Sequence, residues 1–155
     1  MNGITPFLWF NDQAEDAANF YASLFESSKV TEVSRAGGPG SDGPVLTVAF
    51  ELAGQKFLAL NGGPEYRFTP AISMYVSCST QREVDALWKE LTRGGHETRC
   101  GWLEDRFGLS WQIIPDRLPE LLSDPDPTRA QRALDAMMKM SKIDIAALEA
   151  AVEST

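Results

Sequence analysis

Cys100-Gly101-Trp102-Leu103-Glu104-Asp105-Arg106-Phe107-Gly108-Leu109-Ser110-Trp111-Gln112-Ile113-Ile114-Pro115 is the stretch that decides the fold. Trp102 to Arg106 and Ser110 to Pro115 read as short strands, with Glu97 to Cys100 a third just ahead. Gly101 and Gly108 punctuate them. Period-two alternation in the last strand sets Gln112 against Trp111 and Ile113. Immediately upstream, Ala71 to Cys78 is a strand, and Thr80-Gln81-Arg82-Glu83 is a capping box that opens a helix. Val84, Leu87, Trp88 and Leu91 mark the buried face of that helix, and Gly94-Gly95 ends it by supplying positive φ. The order is β-α-β-β-β.

The same order runs through the first half. Ile4 to Phe10 is an apolar run suited to a buried strand. Asp12 with Glu15 predicts a capping box, and Ala14, Ala17, Ala18, Tyr21, Leu24 and Phe25 recur at helical spacing. Lys29 to Arg35 alternates as a strand, and Ala36 to Pro44 is a Gly, Pro and Ser loop. Val45 to Leu52 and Gln55 to Leu60 flank Ala53-Gly54 as a hairpin, and Asn61-Gly62-Gly63-Pro64 stops the half sharply. The helix motif Phe20-Tyr21…Leu24 returns as Leu87-Trp88…Leu91. A repeat longer than the roughly 20- to 50-residue units of solenoids suits two matched half-domains. From Asp116 the character changes. Pro119, Pro125 and Pro127 break the chain, then Ala130, Leu134, Met137 and Met138 form a helical stripe. Ser141 to Asp144 starts a last helix carrying Ile145, Leu148 and Val152. This tail must bury its stripes on its own domain or on a second subunit.

Composition bounds the chemistry. The 155 residues are 43% hydrophobic and 23% charged, as in a globular chain. Asp plus Glu number 22 against 14 Lys plus Arg, for a net charge of -8. Such a surface repels phosphate backbones, so no nucleic-acid partner is expected. One histidine, His96, and two cysteines, Cys78 and Cys100, are too few for a zinc cluster of about four ligands or a disulfide scaffold. No segment reaches the roughly 18 apolar residues of a membrane span, and the N-terminus has no signal-peptide pattern. The expected setting is cytoplasmic, with free thiols and no membrane partner.

The Cys100–Pro115 segment, the segment Phe57-Leu58-Ala59-Leu60-Asn61-Gly62-Gly63-Pro64, the tail ending Met137-Met138-Lys139-Met140-Ser141-Lys142-Ile143-Asp144 and the duplicated order carry a resemblance. Over nearly its whole length the chain resembles the PhnB-like branch of the vicinal-oxygen-chelate superfamily, the glyoxalase/bleomycin-resistance/dioxygenase fold. The resemblance implies an α+β architecture of two tandem βαβββ modules, with curved mixed sheets around a cavity. The modules are residues 4–64 and 70–115 within a domain 1–115, and residues 116–155 form a helical extension. It also implies, commonly, a homodimer. Members of this branch often carry the label 3-demethylubiquinone-9 3-methyltransferase. The sequence does not support methyl transfer. Its one dense glycine cluster, Gly37-Gly38-Pro39-Gly40, lies between two strands, with no helix dipole to meet a ligand.

Enzymes of the superfamily bind a divalent metal through His and Glu at four strand positions. Here those positions match Thr5, Ala71, Gln112 and, within one residue, Ala59. None is His or Glu, and Thr5 and Gln112 are weak neutral donors for a transition metal. No metal and no other cofactor is expected. The resulting reading is a metal-free protein that binds a small apolar or aromatic molecule. The alternative is an enzyme of the same superfamily, a lyase, isomerase or dioxygenase, and the sequence leaves open whether any reaction is catalysed.

The expected ligand cavity is lined by Thr5, Phe7, Trp9, Asn61, Tyr75, Cys100, Trp102 and Gln112. Thr5, Phe7 and Trp9 alternate onto one face of the first strand, and aromatic walls suit flat or apolar ligands. Each also has a plain structural reading. Gln112 fits either a ligand-facing amide or an amide satisfied by neighbouring strands. Asn61 fits a turn residue as well as a cavity-mouth residue. Cys100 fits a small buried hydrophobe, as Cys78 does, or a reactive thiol. His96 reads as an exposed loop histidine at a helix C-terminus, and Asp105 as the carboxylate of an Asx-type turn.

Overall fold

A computed structural model describes residues 1–154. The chain divides into two compact units, Met1–Phe68 and a second beginning at Thr69. Each holds a four-stranded mixed sheet, with one helix in the first unit and four in the second among the described residues, so the α+β architecture and the duplicated order are as expected.

The first unit runs β1 (Phe7–Phe10), α1 (Ala14–Leu24), β2 (Lys29–Arg35), β3 (Val45–Leu52) and β4 (Gln55–Asn61). Its strand order is β1-β4-β3-β2, with β1 parallel to β4 and the remaining pairs antiparallel. Leu8, Phe10, Val48, Phe50, Leu52, Phe57 and Ala59 are buried on one face of the sheet. Ala14, Ala17, Ala18 and Tyr21 of α1 are buried as well, and α1 packs on β3 and β4. Three alanines at helical spacing let the helix approach the sheet closely. The hairpin turn holds both Ala53 (φ 49°) and Gly54 (φ 83°) left-handed, the type I′ geometry that matches strand twist.

The predicted Asp12–Glu15 capping box does not form. The residue before α1 is Gln13, with no side-chain cap. Instead Asn61 Oδ1, arriving from the end of β4, accepts from Ala14 N at 2.8 Å. A partner distant in sequence has supplied the acceptor that the local pattern offered.

The second unit runs β5 (Ser73–Cys78), α2 (Gln81–Thr92), β6 (His96–Glu97), β7 (Trp102–Glu104), β8 (Ser110–Pro115), α3 (Arg117–Leu122), α4 (Pro127–Met137) and α5 (Ile145–Glu153). Its order is β5-β8-β7-β6, with β5 parallel to β8. The capping box of α2 does form: Thr80 Oγ1 accepts from Glu83 N at 3.2 Å, while Glu83 Oε2 accepts from Ser79 N at 2.9 Å. Gly94 ends the helix at φ 76°. Gly95 serves differently, because an added Cβ there would stand 2.1 Å from the Glu104 carbonyl oxygen.

The strand predicted over Glu97–Cys100 is shorter than expected. Cys100 (φ 58°) and Gly101 (φ 84°) turn left-handed and leave the sheet. Their amides donate to the carbonyls of Met140 and Ser141, both at 2.8 Å. The tail is therefore bound to its own unit. Ile114, Leu118, Leu121, Ala133, Ile143, Leu148 and Val152 form one buried cluster. Gln81 adds a clasp: its Nε2 donates to Ile143 O and its Oε1 accepts from Ile145 N. Helix α3 was not expected, since Pro119 reads as a breaker, but Pro is tolerated in a first turn where the amide has no partner. In α4 the predicted stripe is offset. Ala133 is fully buried, with Ala136 and Met137 packed beside it, while Leu134 and Met138 are exposed. The last helix starts at Ile145, with Asp144 accepting from Ala147 N at 3.0 Å.

Candidate functional site

In the first unit α1 covers one sheet face and leaves the other free; in the second α2 covers the Trp111–Ile113 face, and the tail helices bury the Ile114 end of the other. In the first unit the β1–β4 register pairs Phe7 with Leu58 and Trp9 with Leu60, and the β3–β4 register adds Ala49 and Thr47. These residues alternate with the buried set, so they form the helix-free face. Phe7 is 54% exposed. Trp9 Nε1 donates to the Gly63 carbonyl at 3.0 Å. Tyr66 meets the indole nearly at right angles, with ring centroids 4.9 Å apart. Thr5 lies just before β1 and is exposed.

Ala59 and Asn61 fall on the other face. Ala59 pairs with buried Leu8 and is itself fully buried, so the position next to it, Leu58 or Leu60, is the one that faces outward. Asn61 pairs with Phe10. Its side chain is committed at both ends, Oδ1 to the start of α1 and Nδ2 donating to Val45 O at 3.2 Å. Leu58, Leu60 and Tyr66 were missed. Sequence could have pointed to Leu58 and Leu60 only through the β1–β4 register, and to Tyr66 only through the loop after Asn61.

In the second unit three expected residues align across three adjacent strands. Tyr75 of β5 pairs with Gln112 of β8, which pairs with Trp102 of β7. Trp111 and Ile113 are buried on the opposite face, as alternation required. Gln112 Nε2 donates to Ser73 Oγ at 2.9 Å. Further along the same face His96 Nε2 stands 3.7 Å from Glu104 Oε2, an exposed pair. His96 thus begins a short strand instead of lying in a loop. Tyr75 is 55% exposed, and Gln112 and Trp102 are partly exposed.

Cys100 lies outside this row, in the turn toward the tail, where its Sγ donates to Met138 Sδ at 3.8 Å. Cys78 is buried, and burial, with the nearby carboxylates of Glu83 and Asp116, pushes its thiol up to about 11. It is a neutral, inert packing group. Asp105 is 3% exposed. Its Oδ1 accepts from Phe107 N (2.8 Å) and Leu109 N (3.1 Å), and its Oδ2 from Trp111 Nε1 (2.9 Å). This is the Asx-type turn predicted, extended to hold the indole of β8.

The donor set does not fit the superfamily's metal. Among the described residues no three His, Cys, Asp or Glu side chains gather. Nor does it fit S-adenosylmethionine on a glycine-rich strand-to-helix turn. Gly37–Gly40 lies in the β2–β3 connection, closed by Ala36 N donating to Pro44 O at 3.0 Å. The β1–α1 turn has no glycine, and the α1 amide that would meet a ligand is taken by Asn61. No described helix is long and apolar enough to cross a membrane.

Residues 2–114 match the family described as 3-demethylubiquinone-9 3-methyltransferase. Among solved structures, the PhnB protein from Bacillus cereus is 38% identical with a TM-score of 0.67, covering 74% of this chain and 99% of its own. A protein of Pseudomonas aeruginosa shares the fold at 18% identity and a TM-score of 0.60, covering 75% and 100%. So does a fosfomycin resistance protein mutant from Listeria monocytogenes, complexed with manganese and a dihydroxypropylphosphonic acid. It is 13% identical with a TM-score of 0.51, covering 74% and 92%. No curated protein matches the chain.

Proposed function

The chain belongs to the 3-demethylubiquinone-9 3-methyltransferase family of glyoxalase-fold proteins, and on that premise we propose that it binds a small apolar or aromatic molecule on the sheet faces that carry Phe7 and Tyr75, without a metal. The observation that carries the reading is the exposure of aromatic rings on both faces, Phe7 on the first and Tyr75 on the second. Scattered exposed aromatics need no explanation. These, however, sit in register with Trp9, Leu58 and Leu60 on one sheet and with Gln112 and Trp102 on the other. Apolar walls with a few fixed polar groups are what small-molecule sites are made of. Thr5, at the entry to β1, belongs to the same proposed lining. Asn61 and Cys100 do not, because their polar atoms are engaged elsewhere.

The tail serves in this reading as an extension of the second module, and the protein acts as a homodimer, which light scattering tests. Methyl transfer is no part of it, since the β1–α1 turn has no glycine and Gly37–Gly40 joins two strands. A second reading, a lyase, isomerase or dioxygenase, has the His96–Glu104 pair in its favour as a proton-transfer couple.

Thermal-shift screening with aromatic and apolar small molecules tests the first reading. A ligand at a hundred times its Kd adds about 2.7 kcal/mol of stability, a shift of several degrees in a domain of this size. Phe7→Ser and Tyr75→Ser should each reduce that shift. A screen without hits, or a shift that both variants leave unchanged, refutes the reading. Stoichiometric, tightly held transition metal in the purified protein would favour the second.

A further inference from the structure

Resting on the reading above, we infer that Trp9 is a preorganised stacking platform and that Gly62, Gly63 and Tyr66 fix its geometry for a planar, uncharged ring. Three observations converge on it. First, the indole lies on the Gly62 backbone. A Cβ added there would stand 2.4 Å from Cε2 and Cζ2 and 2.7 Å from Cη2, so only glycine leaves the ring its place. Second, the indole N–H already donates to the Gly63 carbonyl at 3.0 Å. Trp9 therefore offers a ligand π surface and no polar handle. Third, Tyr66, itself 59% exposed, packs against the ring at an interplanar angle of 78°. The glycines are themselves pinned: Gly62 N donates to Phe10 O at 2.8 Å and Gly63 N to Asn11 O at 3.1 Å. The short Gly62-Gly63-Pro64-Glu65-Tyr66 segment thus holds one aromatic ring and presents another.

The neighbours select the ligand. Leu60 lies beside Trp9 in the adjacent strand and Thr47 beyond it, so the floor is apolar and neutral. An anionic group over it would lose water and gain no cation from Leu60 or Thr47, at a cost that disfavours binding. A planar ring instead gains both buried area and stacking against the indole. Because the indole is held before the ligand arrives, little rotamer entropy is lost on binding.

The test uses full-length protein with 1-naphthol and its saturated counterpart 1-decalol as probes. Wild type should bind 1-naphthol more tightly, by roughly five-fold or more, and the Trp9 indole N–H resonance should shift on titration. Trp9→Ala should weaken 1-naphthol binding by about ten-fold or more, and Trp9→Phe, which keeps a ring, by only about three-fold. Gly62→Ala should weaken it comparably while far-UV circular dichroism stays native. Should Gly62→Ala or Trp9→Ala not fold, Tyr66→Ala, at an exposed position, should still weaken binding by about three-fold. Binding of 1-naphthol that survives Trp9→Ala and Tyr66→Ala unchanged overturns the platform and leaves the proposed function standing. Failure of 1-naphthol and of every other aromatic or apolar probe overturns both.

Discussion

Replacing Asp105 by Ala should destabilise the second unit severely. The carboxylate accepts from three donors, and two of them, Leu109 N and Trp111 Nε1, are buried. Water can replace it at the partly buried Phe107 amide but not at these two. A buried donor left without an acceptor costs roughly 1–3 kcal/mol, so the pair costs about 2–6 kcal/mol. That is a large share of the roughly 5–15 kcal/mol typical of a domain. With a urea slope of about 2 kcal/mol/M, the midpoint should fall by about 1–3 M. Asp105→Asn tests the geometry more finely. Its oxygen can keep the backbone amides, but its NH2 then faces the Trp111 N–H, donor against donor. Trp111→Phe removes that conflict, so the cost of Asp105→Asn should shrink when it is introduced together with Trp111→Phe. The assay is a double-mutant cycle by urea unfolding. A cost for Asp105→Ala below about 1 kcal/mol, or an Asp105→Asn cost that is the same with and without Trp111→Phe, would show that the carboxylate does not hold these buried donors.

Gly101→Ala should cost upwards of about 2 kcal/mol by thermal unfolding, since a Cβ would meet Ile114 Cδ1 at 2.6 Å and Ile143 Cγ1 at 3.1 Å at a left-handed φ of 84°. Asn61→Ala should lower stability by about 1–2 kcal/mol in the same assay through loss of the acceptor at the start of α1. Truncation after Pro115 should give insoluble protein, read by sedimentation, because it uncovers the buried side of Ile114 and removes the partners of Cys100 N and Gly101 N. Acid should loosen the tail. The Lys142 ammonium and the Gln81 amide hold the Asp85 carboxyl below its usual 3.8, and the Asp126 amide and Arg129 do the same for Asp124. A lowered folded pKa contributes stability above the unfolded value that is lost as pH falls through the folded one. Melting temperature should therefore drop more steeply below about pH 4, and Lys142→Met should flatten that drop.

Much of the fold was legible because its signals are local. The bounds of β2, β3 and β8 follow from alternation and flanking turn residues, and the Thr80–Glu83 box follows from spacing alone. What was not legible depends on register. In Phe57-Leu58-Ala59-Leu60 every residue is apolar, so alternation has no contrast and cannot say which pair faces the helix. A one-residue ambiguity there exchanges Ala59 for Leu58 or Leu60 and sends Asn61 to the opposite face. The α4 stripe failed for a related reason. Alanine carries a weak hydrophobic signal, so Leu134 and Met138 dominate the pattern, while the helix buries Ala133 where close approach to α3 and α5 needs a small side chain. The Asp12 box was displaced by an acceptor from 47 residues away.

The same logic explains why half of the candidate site was readable and half was not. In β8 the large apolar residues Trp111 and Ile113 flank a polar Gln112, and that contrast alone assigns the face. Once Gln112 is placed, its ladder partners Tyr75 and Trp102 follow from pairing. In β4 no polar residue interrupts the run until Asn61, and Asn61 is bound inward. The apolar floor around Trp9 is therefore a product of the β1–β4 register, in which a parallel pair formed across the length of the unit sets Leu58 and Leu60 beside Phe7 and Trp9. Shifting that register by one residue would turn Phe7 and Trp9 toward α1 and Leu8 and Phe10 outward. The pairing of Leu8 with Ala59 on the buried face is thus what turns Phe7 and Trp9 to the helix-free side.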